Sequence, residues 1–66
     1  MKLKLNGTDR EFESVRTAAD LLTALDIMRE RVAIMVNETV VRRANLEMTE
    51  LHEGDVVEVI TMVGGG

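Results

Sequence analysis

The chain has 66 residues, 8 Lys plus Arg against 12 Asp plus Glu, a formal net charge of -4, and no Cys, Pro, Trp or Tyr. A single domain of this size buries only about 60% of the surface its unfolded chain exposes and has little room for a pocket of roughly 300–1,000 Å³, which argues against an enzyme acting alone. Lack of Cys excludes a disulfide framework, thiolate-bound zinc and a thiolate nucleophile, and the acidic balance argues against nucleic acid, whose phosphates need clustered Lys and Arg.

The chain opens on alternation, with Met1, Leu3 and Leu5 on one side and Lys2 and Lys4 on the other, the period of a half-buried strand. Asn6-Gly7 has the residue types of a tight hairpin turn, and a second strand is predicted over roughly residues 10–15, carrying Phe12 and Val15. Thr17 reads as a helix N-cap with Asp20 three residues on, and Ala18, Leu21, Leu22, Leu25 and Met28 follow helical spacing, so a helix is predicted over about 18–27. Val32-Ala33-Ile34-Met35-Val36 is too short for a helix and reads as a strand. Asn37-Glu38 turns it into Thr39-Val40-Val41.

Residues 42–52 read as an irregular connection anchored by Leu46, Met48 and Leu51. Gly54-Asp55 marks a turn into the strongest strand pattern, residues 56–63. A long, doubly apolar last strand suggests a central place beside the first. The expected fold is α+β: a mixed four- or five-stranded sheet gripping one main helix, with residues 1–63 as the domain and 64–66 as a flexible glycine tail. The start lacks the apolar run of about 7 to 15 residues that a signal peptide needs. No stretch reaches the roughly 18 apolar residues of a membrane span, so a cytoplasmic protein with no membrane partner is expected.

Candidate chemistry is sparse. His52 is the one histidine, and the acidic residues lack metal-ligand spacing, so solvated side chains and no metal are expected. Met28 and Met35 read as core filler. If Val57 and Val59 face the helix, Glu58, Ile60 and Met62 face the other side of the sheet, where Ile60 and Met62 would form an exposed apolar patch suited to a partner.

The ending, Val63-Gly64-Gly65-Gly66, stands apart. With Gly near 7% of residues, three in a row at a given place arise by chance on the order of a few in ten thousand, which calls for an explanation. A glycine arm has no side chains to obstruct a narrow channel, and a terminal carboxylate, ionised at neutral pH, could attack the α-phosphorus of ATP in another protein's site.

Together, the Lys/Leu strand ending Asn6-Gly7, the Thr17 helix start with Asp20-Leu21-Leu22, Val36-Asn37-Glu38-Thr39-Val40-Val41 with Arg43 following, Gly54-Asp55-Val56-Val57-Glu58-Val59, and the glycine end resemble the ThiS family of sulfur carriers over the whole chain. The family pattern often places Pro where this chain has Arg42. The resemblance implies a ubiquitin-like β-grasp protein that is a co-substrate and not an enzyme. Its Gly66 carboxylate would be adenylated by an E1-like enzyme of the ThiF type, which consumes ATP; the chain itself would bind no cofactor. Sulfur from a cysteine-desulfurase persulfide would then give a thiocarboxylate, and a ThiG-type thiazole synthase would accept it in thiamine biosynthesis. Gly64 and Gly65 would supply reach, and Glu58, Ile60 and Met62 docking. The alternatives are a carrier of the molybdopterin-synthase small-subunit type, or a ubiquitin-like modifier or binding module.

Overall fold

The computed structural model describes residues 1–62. Its strands are β1 (Lys2–Leu5), β2 (Thr8–Glu11), β3 (Val32–Val36), β4 (Thr39–Val41) and β5 (Val56–Thr61), with one α-helix, α1 (Ala18–Ala24), and 3₁₀ turns at Arg29–Arg31 and Arg43–Met48. They form one five-stranded sheet in the order β2-β1-β5-β3-β4. β1 and β5 are parallel, and the other neighbours are antiparallel. The last strand is therefore central, beside the first, as the expected β-grasp topology requires.

Pleating assigns the faces. Leu3, Leu5, Ile34 and Val57 alternate onto one face and meet Ala18, Leu21 and Leu22 of α1, with Leu46 and Leu51 closing the core. The largest fully buried side chains, Leu3, Leu21, Ile34 and Val57, each contribute about 1.5–3 kcal/mol by burial. α1 is too short to be stable alone, so this packing carries it.

The helix start matches its sequence signal. Thr17 Oγ1 accepts from the Asp20 amide at 3.2 Å, and Asp20 Oδ2 accepts from the Thr17 amide at 3.1 Å, a complete capping box. Flanking backbone bonds from Ala18 N to Thr49 O and from Leu51 N to Arg16 O tie this start to the chain before β5. The helix ends at Ala24, short of the predicted 27. Asp26 takes φ 60 and donates to Thr23 O, while Ile27 donates to Leu22 O, which terminates the helix without a glycine.

Three other expectations are corrected. β2 begins directly after the Asn6-Gly7 turn (φ 50 and 84) and ends at Glu11, not over 10–15. Phe12 and Val15 lie beyond the strand and are buried, with the Arg10 guanidinium 5.4 Å from the Phe12 ring centre. Met28 and Met48 are exposed, at 61% and 72%, not core filler or anchor. Met35 is only half-buried and pairs across strands with Val40 and Glu58, on the face away from α1.

Both hairpin turns begin with an asparagine that holds β5. Asn6 accepts from Val59 N at 2.8 Å and donates from Nδ2 to Val59 O at 3.2 Å; its own amide donates to Val57 O. Asn37 accepts from Val56 N through Oδ1 at 3.0 Å, and its amide donates to Val56 O. Its Nδ2 also donates to Asp55 Oδ1, while Asp55 Oδ2 accepts from His52 N. Each asparagine thus extends a ladder past the end of its own strand.

Candidate functional site

β5 positions Glu58 and Ile60, and Met62 follows its last residue. Val57 points into the core, so Val56, Glu58 and Ile60 point away from α1. Ile60 lies across from Ala33, and Glu58 across from Met35, which in turn neighbours Val40. The bare face therefore carries an apolar strip through Ala33, Met35 and Val40 beside Ile60 and Val56, flanked by Lys2 and Lys4 of β1. Ile60 is 47% exposed and Met62 48%. The residues 42–52 do not cover Ile60.

Met62 departs from the simple alternation. It follows the last strand residue, donates its amide to Arg31 O at 2.8 Å, and lines a groove with Leu22, Arg29, Val41, Arg43 and Leu46. The groove volume is about 170 Å³, and it opens where the described chain ends. Its Arg29 is held by Glu47 at 2.6 Å; this hydrogen bond raises the guanidinium pKa and lowers that of the carboxylate. Arg43 was named from the sequence only as part of the motif after β4, and Arg29 was not singled out. Arg29 lies in a short connection with no periodic pattern, and only the turn over Arg43–Met48 brings the two together.

Gly64, Gly65 and Gly66, the expected arm and its sulfur-bearing carboxylate, lie outside the described residues, as does Val63. His52 is 73% exposed, with Nδ1 3.8 Å from Asp55 Oδ2. Among the described residues no three His, Asp or Glu side chains cluster as a metal site, and no helix is long and apolar enough to cross a membrane. The geometry supplies a bare apolar face and a cationic groove at the chain exit.

Comparison with known proteins gives this arrangement its context. The ThiS family model matches residues 3–66. A sulfur carrier protein ThiS from Bacillus subtilis is 31% identical over 65 residues, covering 97% of this chain and 98% of that protein. A thiazole synthase of Paramagnetospirillum magneticum is 32% identical over all of this chain, which spans only 20% of that protein's length. The crystal structure of the thiamine biosynthesis protein ThiS from Geobacter metallireducens superposes with a TM-score of 0.83 at 30% identity, covering 100% of both chains. The fold is therefore the ubiquitin-like fold of those carriers, and the chain belongs to the ThiS family of sulfur carriers.

Proposed function

We propose that this chain carries sulfur on its C-terminal carbonyl and delivers it for thiazole formation in thiamine biosynthesis. The observation that carries the reading is the family match running through Gly66, the residue whose carboxylate the chemistry needs. An E1-like enzyme would bind the chain; the Gly66 carboxylate would attack the α-phosphorus of ATP, releasing pyrophosphate and leaving an acyl adenylate. Persulfide sulfur from a cysteine desulfurase would displace AMP. Cleavage of the sulfur–sulfur bond by a thiol would then leave the thiocarboxylate. In this scheme ATP is consumed by the partner and the chain binds no cofactor.

The division of labour follows from chemistry. Gly64 and Gly65 offer no side chain to collide with a channel wall, and Gly66 is the sulfur attachment point. Glu58, Ile60 and Met62 are the docking residues: Glu58 and Ile60 offer a charged and an apolar side chain on the bare face, and Met62 an apolar one at the groove where the described chain ends. Thiazole synthases that contain a region similar to this whole chain support thiazole synthase as the acceptor. A protein of this kind works in the cytoplasm, where ATP and persulfide donors are available.

The test is reconstitution with ATP, a ThiF-type enzyme, a cysteine desulfurase and cysteine, followed by intact mass. Exchange of one oxygen for sulfur is expected, and fragment ions must place it beyond Met62, since oxidation of any of the 5 methionines adds a nearly equal mass. An unchanged C-terminal fragment with a demonstrably active enzyme overturns the proposal. Lysine conjugates through Gly66 would point to a protein modifier instead.

A further inference from the structure

The two edges of the sheet are built differently. β2, at one edge, is Thr8-Asp9-Arg10-Glu11, and β4, at the other, is Thr39-Val40-Val41. Natural sheets block unwanted edge pairing with charge. In both two-residue hairpins the pair flanking the turn is the closely hydrogen-bonded one, so the next residue turns its backbone outward. On β2 the outward residues are Asp9 and Glu11. A two-fold pairing of β2 with a second copy would set Asp9 against Asp9, Glu11 against Glu11, or Asp9 against Glu11. Each register opposes like charges.

On β4 the outward residue is Val40, 63% exposed. A two-fold antiparallel pairing centred there exchanges two hydrogen bonds between the Val40 backbones. The same register brings the side chain of Glu38, the turn residue just before β4, level with Arg42 of the second copy, and Arg42 level with its Glu38. Both residues are exposed; Arg42 is extended (φ -70, ψ 147), while Glu38 holds the left-handed position of the turn (φ 72), so the two meet through their long side chains at the end of the paired segment. Val40 shares the bare face with Met35, so the two copies would also join their apolar strips side by side. Opposite charges placed directly across strands stabilise a pairing, and this edge is complementary to itself where β2 is not.

We infer that β4 is a self-association edge, by which a second copy of this chain extends the sheet through an antiparallel β4–β4 contact in the Val40 register, with reciprocal Glu38–Arg42 pairs. The contact is short and falls below a standard interface, so the dimer dissociates in the high-micromolar to millimolar range, about 1 mM at the weak end. It is independent of the sulfur chemistry.

The experiment is dilution of labelled protein, followed by amide NMR shifts and sedimentation. Concentration-dependent shifts confined to residues 38–42 and the facing bare surface are expected. Glu38→Arg alone and Arg42→Glu alone each oppose like charges and should weaken association about tenfold. An equimolar mixture of the two variants restores opposite charges at both pairs and should associate at least as well as the parent. The amide spectra report folding of each variant directly. No concentration dependence up to about 1 mM, shifts centred elsewhere, or a mixture behaving as the sum of its parts would each overturn the inference.

Discussion

The two faces of the sheet use the same kind of residue for different ends. On the covered face Ile34 is 1% exposed and packs with Leu21 and Val57; on the bare face Ile60, from the central strand, is 47% exposed. Covered isoleucine stabilises the fold through apolar burial and close packing. Bare isoleucine adds little to stability and leaves that surface apolar and open to solvent. The described residues hold one α-helix, which covers one face, and the other stays bare.

The largest effect expected to test this separation is functional. Removing Gly66 should abolish sulfur loading by intact mass and leave the melting temperature unchanged, because among the described residues every buried core residue lies at or before Val57. A lowered melting temperature would show that the last residue supports the fold. Next, Ile34→Ala should cost about 2–5 kcal/mol in denaturant unfolding, whereas Ile60→Ala should stay within about 0.5 kcal/mol and weaken binding to the activating enzyme in titration calorimetry. Equal destabilisation by both would erase the contrast.

A smaller effect concerns how the central strand is held between the faces. Asn37→Ala removes the side-chain bonds to Val56 and Asp55 and should cost about 1–3 kcal/mol by chemical denaturation. Asn37→Gly keeps the positive φ and should lose less. Thr17→Ala should cost about 1 kcal/mol. The Asp20 carboxyl is held below its ordinary pKa by the Arg16 and Thr17 amides, so its contribution is present above the ordinary carboxylate range and lost as pH falls through the lowered value. Asp20→Asn should therefore flatten the acid side of the stability profile. The smallest change is a gain: Glu38 sits at φ 72, and Glu38→Gly should raise stability by a few tenths to about 1 kcal/mol in thermal melts.

Most strand positions were legible because alternation and turn residues report directly on the backbone. Leu3 and Leu5, Asn6-Gly7 and the Gly54 turn follow this rule, while residues 32–36 were legible as an apolar run too short for a helix. The capping box was legible because its hydrogen bonds are local. β2 was misplaced because its strand residues are polar and wholly exposed, while Phe12 and Val15 plug the core from outside the strand. The helix end was missed because Asp26, and no glycine, takes the left-handed position. At the candidate site, the face that Ile60 takes followed from strand period, but its exposure did not, since residues 42–52 could have folded over it and only the tertiary fold shows that they pack elsewhere. The groove with Arg29, Arg43 and Met62 did not, since it joins three separated segments that only the tertiary fold brings together.

The asparagine clasps on β5 bear on how this domain withstands force. β5 leads directly to Met62 and the glycine end, and it is bonded on both sides, parallel to β1 and antiparallel to β3. Under the proposed function, a partner that draws the C-terminus into a channel would load β5 along its axis. That direction loads the two ladders and both asparagine clasps in shear, together, where a peripheral strand could be peeled away one bond at a time. The central position of the last strand thus makes the body a firm mechanical anchor for whatever is attached beyond it.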